Sequence, residues 1–248
     1  MSSVAHYLTT SWDDGDPEDL RLAERLALNE ISGTFYLCRD YNGRPRLTDA
    51  EIVELASFPG TEIGAHSLTH PDLRKSRPGE LNAEVTGSKA WLQDLLGQTV
   101  SSFCYPNGLH NKRAVDAVQG AGYTFARTTK SSTTGFPPKV LRAGTSLQLY
   151  SHPRHVQIRH ALKEVDVAGL RGIAAMRTWP RQPALLSAEF AKRAATASSP
   201  QLLHLWGHSW EFGRHGLWTQ LDQAIQGLRG WEWEPIMNRQ IPDLRPPR

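Results

Sequence analysis

The chain reads as an α/β protein with a largely parallel sheet and a single domain. Three observations predict this. Strand-like runs alternate with helical patterns along the sequence, and turn and cap signals fall between them. The 248 residues, 39% of them hydrophobic, can bury one sizeable core. No repeat or linker divides them.

The first strand is expected over residues 4–11, running into Trp12-Asp13-Asp14-Gly15. Asp16-Pro17-Glu18 then opens a helix with Leu20, Ala23, Leu26 and Ala27 at helical spacing. Residues 33–37 form a second strand. Thr48 with Glu51 is a capping box for a helix carrying Ile52, Leu55 and Ala56. A third strand, 62–65, delivers His66. The helix over 81–96 sets Leu81, Val85, Leu92 and Leu96 on one side and ends before Gly97. A fourth strand, 100–105, closes on the turn Pro106-Asn107-Gly108. A helix over 114–121 and a fifth strand over 123–127 follow. Residues 129–155 read as loops with at most one strand, and 156–172 and 187–197 as helices. A strand over 202–206 and an amphipathic helix over 218–228 complete a core of about 5–230. The tail, 231–248, is expected to be loosely ordered from 241 onward.

Composition narrows the function classes. Lys and Arg (28) against Asp and Glu (25) leave a net charge of +3 with no basic block, so nucleic acid or a membrane surface is not a predicted partner. No stretch is apolar enough to span a bilayer. With no basic, apolar leader at the N-terminus, the expected location is cytoplasmic. Cys38 and Cys104 are too few for a disulfide scaffold.

Two clusters carry chemistry. Asp13 and Asp14 end the first strand, where α/β enzymes place functional groups. His66 and His70 follow the third strand and face the same way if the segment makes one helical turn. A carboxylate with two imidazoles and open positions describes a catalytic metal site, and the adjacent carboxylate can act as base on bound water. Taken alone, Asp-Asp-Gly is also a turn with a helix cap, and the histidine pair is also a surface feature. Together, each after a strand, they point to one site. A third cluster is His204-Leu205-Trp206-Gly207-His208-Ser209-Trp210-Glu211. There His208 is either a proton donor or a core histidine bonded to Glu211 or Trp210. His204, earlier in the strand, reads as packed. Cys104 reads as a small buried thiol rather than a nucleophile. Of Trp206, Trp210, Trp218, Trp231 and Trp233, Trp206 or Trp210 is expected to line the site, the others to pack. His152, His155 and His160 read as exposed loop residues.

Ser11-Trp12-Asp13-Asp14-Gly15, His66-Ser67-Leu68-Thr69-His70 and Phe103-Cys104-Tyr105-Pro106-Asn107-Gly108, in that order, resemble the polysaccharide deacetylases of carbohydrate esterase family four. The resemblance runs from about residue 5 to residue 210. It implies a deformed (β/α) barrel of about seven strands and a divalent metal, commonly zinc. On this likeness Asp14, His66 and His70 bind the metal and Asp13 is the general base. The backbone N–H of Asn107 stabilises the oxyanion and His208 protonates the leaving amine. The family's arginine is replaced by Cys104, and Arg127, at the end of the fifth strand, is the substitute expected to pair with Asp13. Glu211 is expected to orient His208, and Tyr105, Pro106, Trp206, Trp210 and Glu211 to contact substrate.

The function implied is metal-dependent removal of an acetyl or similar acyl group from nitrogen of a sugar-containing substrate. Zn²⁺ is the default ion, with Co²⁺, Ni²⁺ or Mn²⁺ compatible with the same donors. The alternatives are hydrolysis of a non-sugar amide or ureide on the same site, and a carbohydrate-binding protein without turnover.

Overall fold

The computed structural model describes residues 5–130, 135–149, 199–228 and 232–244, with residues 192 and 197. The helices expected over 156–172 and most of 187–197, and His152, His155, His160 and Trp231, lie outside the described residues.

Strand β1 (His6–Asp14) is followed by α1 (Glu18–Leu28), β2 (Gly33–Leu37), α2 (Asp49–Ser57), β3 (Thr61–Ala65) and α3 (Pro78–Leu96). Then come β4 (Ser102–Cys104), α4 (Lys112–Gly120), β5 (Phe125–Arg127), β6 (Leu147–Gln148) and β7 (Leu202–Gly207). The C-terminal part holds α5 (Ser209–His215), α6 (Trp218–Leu228), β8 (Trp233–Pro235) and α7 (Ile241–Leu244). Local chemistry sets the boundaries. Thr48 Oγ1 and Glu51 form the expected reciprocal cap of α2, and Gly97 ends α3 in the left-handed conformation that a side chain would disfavour.

The sheet runs β5-β4-β3-β2-β1-β7-β6 with parallel neighbours throughout. Its two edges are joined by one segment. Ala143 bridges Arg127, exchanging hydrogen bonds with Ala126 and Thr128, while Leu147 and Gln148 pair with β7. The seven strands therefore curl into a deformed (β/α) barrel. β1 is central and buried along most of its length, which is why Leu8 to Asp14 tolerate no exposed face. Parallel strands all point one way, so the ends of β1, β3, β4, β5 and β7 bring Asp14, His66, Tyr105, Arg127 and His208 to a single rim.

Two expectations need correction. β1 continues through Asp13 and Asp14 instead of stopping at residue 11, because these residues pair with Tyr36 and Leu37 of β2. The tail, expected to be loose from 241 onward, is helical over Ile241–Leu244 and is anchored by the residues before it. β8 pairs with residues 6–8 of β1, and Asn238 and Ile241 have no exposed surface. Helix α5 and strand β8 were not anticipated. β8 is three residues with a proline, too short for a periodic signal.

Candidate metal and catalytic site

The site is assembled from strand ends and the loops that follow them. Asp14, 6% exposed, has φ of 88°, which turns the chain sharply out of β1. Its Oδ1 lies 3.8 Å from Nε2 of both His66 and His70. Both imidazoles are largely buried and meet edge to face at 4.8 Å. The His66 Nδ1–H donates to the Cys104 carbonyl at 2.8 Å, and a carbonyl can only accept. The tautomer is thereby fixed, with the Nε2 lone pair facing Asp14.

The two histidines do not sit on a helical turn. The 66–70 segment bends irregularly, with Ser67 at φ 65° and His70 at φ 58°. Its geometry is imposed from outside. Glu84 of α3 accepts from Leu68 N–H (2.8 Å), Thr69 N–H (2.9 Å) and Thr69 Oγ1 (2.5 Å), while Ser67 Oγ accepts from His70 N–H (3.1 Å). The His70 ring stacks on Tyr41 at 4.1 Å. Burial and the neighbouring His66 lower the His70 pKa to about 4, keeping it neutral and available as a donor.

Asp13, 3% exposed, is ion-paired through Oδ1 with Arg127 Nη2, and the Cys104 thiol approaches Oδ2 at 3.6 Å. Burial alone would raise its pKa. The Arg127 guanidinium, helped by His66 and His208, more than offsets that and holds it at about 2. Arg127 is itself fully buried, donates to Cys104 Sγ at 3.0 Å, and lies over the rings of Trp206 (5.0 Å) and Tyr36 (5.4 Å). Cys104 and Arg127 are direct partners in the β4–β5 register. The guanidinium thus reaches Asp13 from the end of β5, as expected, beside the motif position that Cys104 holds on β4. Burial pushes the Cys104 thiol well above its ordinary pKa, which leaves it a neutral packing group. Asp13, His66 and Cys104 also lie close together, but Arg127 already occupies the anionic side of that grouping, so a cation is not favoured there.

Across the site, His208 Nδ1 lies 3.2 Å from Glu211 Oε2, and its Nε2 lies 4.0 Å from Asp14 Oδ2. Burial would lower its pKa, but Glu211 and the site aspartates raise it. His204 is inside the barrel, with Nε2 2.8 Å from Ser11 Oγ, and burial lowers its pKa well below the usual range. Asn107 is exposed on the turn after β4, with φ of 54°.

Some of the residues expected to contact substrate are placed differently. Tyr105 has no exposed surface, and its hydroxyl donates to the Leu141 carbonyl at 3.0 Å, making it part of the core wall. Pro106 is buried in the turn. Trp206, 8% exposed, backs the Arg127 guanidinium. Trp210 is partly exposed at the mouth, and its Nε1–H donates to Asp14 Oδ2 at 3.1 Å. Arg44, Tyr41 and Glu84 were not anticipated. Tyr41 and Arg44 lie in the loop after β2, and loops after parallel strands are where such residues belong.

The donor set fits a divalent cation: one carboxylate oxygen and two imidazole nitrogens lie within 4.8 Å of one another. The sequence model for polysaccharide deacetylases matches residues 4–126, about half of the chain. The chain belongs to that family. It is 25% identical over 96 residues to YxkH of Bacillus subtilis, a protein named for the polysaccharide deacetylases. It is 23% identical over 113 residues to the uncharacterized YlxY of the same organism. The matches cover 39% and 46% of the chain, and in each case the chain spans about a third (34%) of the curated relative. The fold aligns with a chitin deacetylase from Colletotrichum lindemuthianum at a TM-score of 0.61, with 13% identity, 97% of this chain and 90% of that one. It also aligns with a family 4 acetyl xylan esterase from Clostridium thermocellum, solved with a cobalt ion, at 0.58, with 16% identity, 97% and 93%. At these identities the likeness is one of fold. Among the described residues, no helix is long and apolar enough to cross a membrane.

Proposed function

We propose that the protein is a metal-dependent hydrolase that removes an acetyl or similar acyl group from nitrogen of a sugar-containing substrate. One observation carries this reading. Asp14, His66 and His70 converge on a common point, while Asp13, a separate carboxylate held ionised by Arg127, stands beside them. A divalent ion held by Asp14, His66 and His70, with Zn²⁺ the default, supplies a lowered water pKa and a polarised acyl oxygen.

The chain's own groups do the rest. Asp13 takes the proton of the attacking water at Oδ2, since Arg127 engages Oδ1. The Asn107 backbone N–H, on the turn at the same rim, donates to the developing oxyanion, a contribution typically worth ~10²–10³ in rate. His208 delivers a proton from Nε2 to the leaving nitrogen, and Glu211 Oε2, 3.2 Å from its Nδ1, favours the charged ring. The Asp13–Arg127 pair supports catalysis over binding alone, because a guanidinium from β5 still pairs with the proposed base although β4 carries Cys104.

The test is acetate release from a panel of N-acetylated sugars by the metal-loaded protein. Asp13→Asn is expected to lower kcat by about 10²–10⁴ with bound metal retained. An unchanged rate would overturn the assignment.

A further inference from the structure

The two oxygens of Asp14 have different surroundings. Oδ1 faces His66 and His70. Oδ2 accepts from Trp210 Nε1 at 3.1 Å and lies 3.4 Å from Arg44 Nη1. These donors come from opposite parts of the chain, Trp210 from α5 and Arg44 from the loop after β2. They also support one another, because the Arg44 guanidinium lies 4.4 Å from the Trp210 ring centre and 5.0 Å from that of Tyr41. Tyr41 in turn stacks on His70. A continuous wall, His70–Tyr41–Arg44–Trp210, thus runs round the mouth of the site and ends on the second oxygen of the aspartate.

We propose that Trp210, with Arg44 behind it, is a positioning residue that fixes Asp14 so that Oδ1 alone is presented to the cation. The proposal rests on the reading of Asp14, His66 and His70 as metal ligands. An unrestrained carboxylate rotates about χ2 and offers either oxygen or both. A donor-only indole N–H and a guanidinium on Oδ2 stop that rotation and leave one acceptor free. Partners of this kind hold ligand geometry, and losing one typically costs ~10–100-fold in metal affinity. The same contacts argue against Trp210 as a sugar platform. Arg44 and Arg214 lie 4.4 and 5.0 Å from its ring centre, and His208 lies 5.2 Å away.

Trp210→Phe keeps the ring for Arg44 to cover and deletes the N–H. Calorimetric titration of the metal-free full chain with Zn²⁺ or Co²⁺ is expected to show Kd raised ~10–100-fold at unchanged one-to-one stoichiometry. The Co²⁺ visible spectrum should broaden as the carboxylate loses its single orientation, while the melting temperature of the metal-free variant stays at the wild-type value. Arg44→Gln should weaken binding in the same direction, and the double variant should cost less than the product of the two single effects. Wild-type binding with Trp210→Phe within twofold of it would overturn the positioning role and leave the metal site standing. A wild-type protein that takes up no divalent ion would overturn both.

Discussion

Arg127 is the residue on which the most depends. It has no exposed surface, and a buried guanidinium survives only with its charge answered. Asp13 answers it, with Trp206 and Tyr36 around it and Cys104 filling the remaining space. Arg127→Leu strands Asp13 as an unpaired buried carboxylate. The expected cost is about 3–5 kcal/mol, read as a lower urea midpoint, together with loss of turnover. Adding Asp13→Asn to that variant should restore part of the stability, because the pair is coupled. Additive losses would mean that the two charges do not depend on each other. That Arg127 pairs with Asp13 was legible, since it ends the strand after Cys104. The direct Cys104–Arg127 register was not, because three-residue strands leave pairing to the surrounding barrel. The burial of Tyr105 was also hidden. A tyrosine beside a rim turn was expected to contact substrate, and its bond to Leu141 sets it in the core wall instead.

Among elements, the 66–70 segment shows how a legible motif can have an illegible conformation. The spacing of His66 and His70 identified the pair, and a helical turn was the simplest way to align the rings. The actual bend places two non-glycine residues in the left-handed region, a strain sustained only because its surroundings over-determine it. Glu84, fifteen residues beyond Thr69 on α3, supplies that determination with three bonds to the loop. Nothing local in the sequence signals a tie across that separation. Glu84→Ala should leave α3 intact, since alanine is a strong helix former. Freed from Glu84, the loop should bind metal roughly 10-fold more weakly while the metal-free melting temperature falls only slightly. Wild-type affinity in this variant would assign the loop's shape to Ser67 and the Tyr41 stack instead.

At the scale of the whole molecule, the barrel has two polar ends. The upper rim carries the candidate site, and the C-terminal segment packs toward the other end of β1, β2 and β3. Asn238 accepts from Thr9 Oγ1 (2.9 Å), donates to the Tyr36 hydroxyl (2.8 Å), and donates through its backbone N–H to Thr34 Oγ1 (3.1 Å). Beside it Glu62, buried and with its pKa raised by that burial, accepts from Thr34, Ser102 and the Arg239 backbone. The segment read as a tail because its anchors form no periodic stripe: polar bonds from Asn238 and Arg239 alternate with Ile236 and Ile241, which pack with Phe125, Ala143 and Leu202. Those bonds satisfy polar groups that β1 and β2 point into a dry interior, so the segment completes the barrel. Asn238→Ala removes the partners of the Thr9 and Tyr36 hydroxyls together. With about 1–3 kcal/mol for each buried polar group left unpaired, the urea midpoint should fall clearly, with an unchanged slope. Asn238 bonds Thr9, Thr34 and Tyr36 and none of Asp14, His66 and His70, so the folded fraction should retain wild-type metal affinity. A variant that loses metal without losing stability would show that the two ends communicate, and the division of the barrel into a reactive rim and a structural base would fail.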